Sequence, residues 1–213
     1  MSRPTILIQL DGDEHASVFD AVVATDAGVD RLLQYSRVEA TQVRDLVHGA
    51  MFTRGPADLK STAIFIGGAN VAKGEELLRQ VVRCFFGPMR VSVMMDANGA
   101  NTTAAAAVIA AGRHVDLAAS TATVLAATGP VGQRVVRLLA GRGAQVRVAS
   151  RDRSRAALVC ELIAKEIPGA RLTPHSTDGA TATAEALQSS QVVIAAGAAG
   201  DRKSTRLNSS HAN

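Results

Sequence analysis

The residues of this 213-residue sequence best placed to do chemistry are two glycines and a pair of arginines in its second half. "LAATGPVGQRVVRLLAGRGAQVRVASRDRSR", Leu125 to Arg155, reads as a strand, a glycine turn, a helix and a second strand. In the G-x-G-x-x-G turn that seats a dinucleotide pyrophosphate, the second glycine admits the phosphates to the backbone and the third lets the helix pack on the strand. Those positions are Gly129 and Gly132, whereas the first, which eases the turn, is Ala127. Pro130 suits the first turn of a helix whose amino end attracts anions. Thr128, Gly129, Pro130, Val131 and Gly132 are therefore expected to hold the pyrophosphate. An acidic residue about 20 positions further on would accept the ribose hydroxyls and favour NAD. Ser150 stands there instead, followed by Arg151 and, close behind, Arg155. Guanidinium groups bind phosphate bidentately, so the expected cofactor is NADP, with NAD possible. Ala196 and Gly197, at the end of the later run "QVVIAAG", are expected to line the nicotinamide ribose.

A second set of candidates lies in the first half, in three loops that follow strand-like runs: "DGDEH", "GGAN" and "DANGANTT". Strands that alternate with helices pair in parallel, which puts their carboxyl ends on one edge of the sheet, where ligands bind in open α/β folds. The loops therefore bring Asp11, Asp13 and Asp96 towards one place, with Asn98, Asn101 and Thr102 beside them. Ordinary turn and cap chemistry uses the same residue types and stays open as a reading of any single loop. His15 reads as a surface residue. No H-E-x-x-H, no G-x-S-x-G and no Cys/His cluster occurs, so neither a metal nor a nucleophilic serine is expected.

The elements that must position these residues can be read in turn. "TILIQL" is a buried strand, and Ser17 with Asp20 has the S-x-x-D spacing of a capping box that opens the helix "SVFDAVVA". A less regular region runs through Arg54-Gly55-Pro56. "STAIFIGG" is read as the second strand, Asn70 as the cap of a helix that Gly87-Pro88 stops, and "RVSVMMD" as the third strand, running into an alanine-rich helix. The expected fold class is α/β: an N-terminal parallel α/β domain over residues 1–115, then an incomplete Rossmann-type doubly wound domain over 116–200.

Composition bounds the rest. At 47% apolar and 20% charged residues the chain can bury a core of two small domains. No run has the length of a membrane span and no signal peptide is evident, so a cytoplasmic address is expected. Cys84 and Cys160 sit in apolar helical patterns and read as reduced, buried thiols. Half of the net charge of +4 lies in "DRKSTRLNSSHAN", which holds three cations and one anion, and the rest is too weak to make nucleic acid an expected partner. That stretch, residues 201–213, lacks periodicity and resembles the translated read-through of a sequencing adaptor; it reads as a non-native polar tail.

"SVFDAVV", "STAIFIGG", "RCFFGPMRVSVMMDANGANTTAAAA" and "TGPVGQR" together resemble the bacterial NAD(P)-dependent methylene-tetrahydromethanopterin dehydrogenases of one-carbon metabolism. The similarity covers about Thr5 to Gly200 and is most specific in the "FFGP…VS…DANGANTTAAA" block. It implies oxidation of a methylene carbon to methenyl in formaldehyde oxidation, with the pterin carrier on the N-terminal domain, NADP on the C-terminal one, and a homo-oligomer for which a trimer is one expected form. On this resemblance Asp96, Asp11 and Asp13 are the expected catalytic carboxylates, and Ser17, Asn98, Asn101 and Thr102 the residues that orient the carrier. The chain departs from the family at Ala127 and in lacking the family's final third, so weak NADP binding and poor turnover are expected of it. A methylene-tetrahydrofolate dehydrogenase and a non-catalytic NADP-binding module are the alternatives.

Overall fold

Short apolar runs alternating with amphipathic helices fold here into two compact units that divide between Asn101 and Thr102. The computed structural model describes residues 3–197; the expected polar tail lies outside the described residues. In the first unit β1 (Ile6–Leu10), β2 (Arg31–Tyr35), β3 (Thr62–Ile66) and β4 (Ser92–Met95) form a parallel sheet in the order β2-β1-β3-β4. Helices α1 (Val18–Asp26), α2 (Val43–Phe52) and α3 (Val71–Arg83) connect these strands. Ile8, Leu10, Ile64 and Ile66 from the sheet bury against Val43, Val47 and Met51 of α2 and Leu77 and Val81 of α3.

The region expected to be irregular in fact contains β2 and α2. In α2 the buried positions Val43, Val47, Ala50 and Met51 follow helical spacing, while Gly49 and His48 dilute the pattern. β2 is a mostly exposed edge strand, so the burial that gives an interior strand its apolar run is missing. "STAIFIGG" and "RVSVMMD" accordingly supply the third and fourth strands of the sheet.

α4 (Ala100–Gly112) begins in the loop after β4. In the second unit β5 (Thr121–Leu125), β6 (Gln145–Ser150), β7 (Arg171–Ser176) and β8 (Val192–Ala195) are parallel in the order β7-β6-β5-β8. They are linked by α5 (Pro130–Gly141), α6 (Arg153–Glu166) and α7 (Ala180–Leu187). This order is that of one mononucleotide-binding half of a Rossmann sheet plus the first strand beyond its switch point. Ala104 and Val108 of α4 pack into this unit's core with Val124, Val135, Leu139 and Val148, which is why the division falls earlier than residue 115. Cys84 and Cys160 are free and half-buried, and burial pushes both thiols up. Among the described residues no helix is long and apolar enough to cross a membrane.

Candidate active-site loops and nucleotide turn

The three loops of the first unit meet because β1, β3 and β4 are adjacent and parallel. Asp11, directly after β1, is completely buried, and its two oxygens accept hydrogen bonds from the backbone N–H of Asp13 (2.9 Å) and of Ser17 (3.0 Å). Asp13 accepts from the N–H of Ala69 (2.7 Å), tying the first loop to the second, and the N–H of Asn98 donates to the carbonyl of Gly68 (2.7 Å), tying the second to the third. Asp96 accepts from the N–H of Asn101 (2.8 Å), whose side-chain amide donates to the carbonyl of Met95 (2.6 Å). Asn98 is exposed and takes the left-handed conformation, φ 55°. Thr102 is exposed one step further along α4. Asp11, Asp13, Asp96, Asn98 and Asn101 therefore form one hydrogen-bonded rim, with Ser17 at the start of α1.

The structure adds Asp20 to this rim, a residue that sequence reading treated only as a capping partner. Ser17 Oγ accepts from the N–H of Asp20 (3.2 Å), but the N–H of Ser17 is held by Asp11, so the reciprocal half of the capping box is not formed by Asp20. Its carboxylate turns towards the end of β3, where a Cβ on Gly67 would lie 2.9 Å from Oδ2 of Asp20. Burial pushes this carboxyl above its ordinary range, a hydrogen bond with Ser17 opposes that, and the charges of Asp11 and Asp96 push it up further. Gly68, at φ 97°, lies so close to Asp11 that a Cβ would sit 3.0 Å from its Oδ1. "GG" after β3 is thus the space in which two carboxylates sit. Lys73 of α3 is the cation at this rim: its Nζ donates to the carbonyl of Gly12 (3.0 Å) and pairs with Glu39 (2.7 Å).

The second unit builds its site from backbone. Gly129 caps α5 and Pro130 occupies the first turn, leaving the N–H groups of Val131 and Gly132 at an open helix start. A Cβ on Gly129 would meet only the carbonyl of Ala126 at 3.5 Å, so the protein leaves the space above it free. A Cβ on Gly132 would lie 2.5 Å from the carbonyl oxygen of Ala126 and 2.7 Å from Cα of Ala127, so this glycine serves the packing of helix on strand. The left-handed residue of the turn is Ala126, φ 53°, and not Ala127. Ala127 is fully buried, with its N–H donating to the carbonyl of Ala149 (3.0 Å), and its position does not demand a glycine.

Ser150 is buried at the end of β6, and Asp152 caps α6 by accepting from the N–H groups of Ser154 (2.8 Å) and Arg155 (3.3 Å). Arg151 and Arg155 are exposed and make no side-chain hydrogen bond or ion pair among the described residues. Two guanidinium groups without partners at a helix start, where cations oppose the helix dipole, fit a phosphate. Ala196 and Gly197 follow β8, and a Cβ on Gly197 would meet that of Ala126 at 3.6 Å, which places this strand end beside the turn.

A parallel α/β unit with an acidic and amide-rich rim, followed by a dinucleotide-binding unit, defines the class of two-domain nucleotide-dependent dehydrogenases. Comparison with known proteins narrows the class. The sequence profile described as "Methylene-tetrahydromethanopterin dehydrogenase, N-terminal" matches residues 18–98. The chain is 42% identical over 199 residues to the "Bifunctional protein MdtA" of Methylorubrum extorquens, covering 92% of this chain and 68% of that protein. It is 35% identical over 117 residues to the "NAD(P)-dependent methylenetetrahydromethanopterin dehydrogenase" of the same organism, covering 55% of this chain and 39% of that one. The chain belongs to the methylene-tetrahydromethanopterin dehydrogenase family.

Proposed function

We propose that this chain binds a reduced pterin carrier on its first unit and NADP on its second, for hydride transfer from methylene-tetrahydromethanopterin to give the methenyl carrier. The observation that supports it most is the pairing, in one family member, of a carboxylate rim with an open glycine turn flanked by Arg151 and Arg155. Gly129 fits the cofactor because its missing Cβ leaves the phosphates access to the backbone. Val131 and Gly132 offer N–H groups to the pyrophosphate, and Arg151 and Arg155 take the 2′-phosphate. Bound NADP supplies the hydride acceptor.

A methylene carbon between two nitrogens loses its C–H electron pair to become a cation delocalised over both. No nucleophile, metal or obligatory proton transfer is required of the protein. Its residues orient the carrier and stabilise positive charge as it develops, the electrostatic role that oriented acceptors perform best in a pre-organised site. Asp20 and Asp96 are the carboxylates at the rim for this charge. Asp11 and Asp13 hold backbone N–H groups and act as positioning residues, while Asn98, Asn101 and Ser17 orient the carrier. The family membership supports a cytoplasmic homo-oligomer as the working form, and analytical ultracentrifugation tests whether it is a trimer.

The deciding experiment titrates NADP and NAD in parallel, then adds methylene-tetrahydromethanopterin or methylene-tetrahydrofolate while following reduced nicotinamide. NADP binding with reduction on the first carrier supports the reading. Binding of neither nucleotide overturns it, and reduction on the folate carrier alone replaces the substrate.

A further inference from the structure

The end of β2, one strand outward from the carboxylate rim, opens into a groove of about 350 Å³ that the chemistry above does not use. Val38 and the partly buried Leu46 give it apolar walls, Tyr35 lines it with a ring, and Thr41, Gln42 and Asp45 line it with polar groups. The groove is not an independent feature of the surface. The N–H of Asp11 donates to the carbonyl of Tyr35 (2.9 Å), that of Val38 to the carbonyl of Asp11 (2.9 Å), and that of Arg37 to the carbonyl of Asp13 (2.7 Å). Its wall is therefore knitted, residue by residue, to the loop that carries Asp11 and Asp13. Arg37 takes a left-handed backbone, φ 53°, to make this connection, and its guanidinium pairs away with Glu14.

The lining selects a chemistry. Gln42 Oε1 accepts from the N–H of Glu39 (2.8 Å), which leaves the Gln42 amide N–H₂ as a donor. Thr41 offers a hydroxyl that both donates and accepts, and Asp45 offers carboxylate oxygens. Asp45 has Arg44 Nε at 3.5 Å on the same helix, but both side chains are mostly exposed and the pair is weak. Among the described residues that line the groove there is no arginine or lysine, and the neighbouring Arg44 reaches Asp45, so the lining itself offers acceptors and neutral donors rather than positive charge. An aromatic ring, an amide donor, a hydroxyl and a carboxylate acceptor suit vicinal hydroxyls, whose O–H groups donate to the acid and accept from the amide while their C–H faces lie on the ring.

We propose that this groove binds the polyhydroxylated chain that follows the pterin and aryl amine of a tetrahydromethanopterin-type carrier, and so selects that carrier over one with glutamates in the same place. The inference rests on the pterin-carrier reading above. A carrier whose head lies at the Asp11, Asp20 and Asp96 rim meets this groove on the next strand of the same sheet edge.

The test measures binding of tetrahydromethanopterin, tetrahydrofolate and the head fragment 6-methyltetrahydropterin to the full chain and to its Asp45→Asn and Thr41→Val variants. Both positions are exposed, so the variants keep the fold, which circular dichroism checks. The expected result is tetrahydromethanopterin binding at least tenfold tighter than the head fragment in the parent chain. Each variant should lose about three- to tenfold on the full carrier only, roughly one hydrogen bond to a charged or neutral partner. Head and full carrier bound equally, or variants without effect, overturn the groove while leaving the pterin reading intact. No binding of the head fragment overturns both.

Discussion

In the proposed function the two units face the same problem, holding a flat, polar ligand at the carboxyl ends of parallel strands, and their candidate sites are built from opposite materials. The second unit uses backbone: an open helix start, a glycine whose absent side chain leaves the space above the turn free, and a second glycine that seats the helix. The first unit uses side chains. Asp11 and Asp96 each accept backbone N–H groups of their own loops, Asp13 accepts one from the loop after β3, and Asp20 lies among them against Gly67. A backbone site depends above all on its glycines, whereas a side-chain site concentrates like charge, and here Asp20 carries the electrostatic cost as a raised pKa.

The sharpest break in that comparison is within the glycine turn. Gly132→Ala drives a methyl into the backbone of Ala126 and Ala127, which cannot yield as a flexible side chain would. The expected loss is about 2–3 kcal/mol of stability, read as a lower denaturation midpoint. Gly129→Ala meets ordinary contact distances and leaves the midpoint nearly unchanged, yet it places a methyl where phosphates must approach. Equal midpoints for the two variants would remove the distinction between packing glycine and binding glycine.

Next in size is the arginine pair. Replacing both Arg151 and Arg155 by alanine should weaken NADP by roughly 10- to 100-fold, the worth of one or two charge-assisted hydrogen bonds. NAD affinity should stay within about twofold, since it offers no 2′-phosphate to lose. A parallel loss for both nucleotides would show that the pair holds the pyrophosphate instead.

Asp20→Asn tests the first unit. The folded carboxyl titrates above its ordinary 3.8, so between that value and its raised one the folded state holds the proton more firmly than the unfolded chain. Stability contributed by this group is thus lost as pH rises through the window, and above it the ionised Asp20 is a standing cost. Asn removes the cost: at neutral pH the variant should melt a degree or two higher, with the gain shrinking as pH falls towards 3.8. Hydride transfer should slow on the order of tenfold as the charge facing the cationic carbon is lost. Unchanged turnover would leave Asp20 without a part in charge stabilisation.

Most of this fold was legible because burial writes a pattern. Interior strands such as "STAIFI" and capped helices such as α3 carry their signatures locally, and the structure bears out those strand and cap readings and the strand–turn–helix order around Gly129. β2 and α2 escaped because an exposed edge strand has no apolar run and because Gly49 and His48 interrupt the helix's stripe. The same locality divides the two sites. The nucleotide turn occupies one continuous stretch, so spacing alone points to it. The carboxylate rim joins residues from loops more than fifty positions apart, and Asp20 of α1 belongs to it because Gly67, in the loop after β3, leaves it room. A capping-box spacing predicted the helix start correctly and concealed the second use of its aspartate.

The smallest expected effect concerns how the turn manages without its usual first glycine. In the loops after β3 and β4 the first unit places Gly68, Gly99 and Asn98 in left-handed backbone, residues that adopt it readily, and among its described residues only Arg37, beside the first loop, is of another type. The second unit places Ala126, whose Cβ opposes φ 53°, and keeps a buried alanine at 127 where backbone geometry is ordinary. The substitution that matters is therefore one residue earlier than the motif suggests. Ala126→Gly relieves a strain of about 1–2 kcal/mol but returns part of it as unfolded-chain entropy, about 0.5–1 kcal/mol. The net expectation is a gain of up to about 1 kcal/mol in denaturant unfolding, with NADP affinity nearly unchanged because Gly129 and the start of α5 stay in place. The opposing term is the contact surface that the Ala126 methyl offers near Gly197. A destabilised Ala126→Gly would mean that this packing outweighs the strain, and that alanine at the turn is an adaptation to the end of β8. Ala127→Gly is the control: at a buried position with no left-handed backbone it should lose stability through a small cavity and added unfolded-state freedom, and a gain there instead would restore the motif's own assignment of the turn.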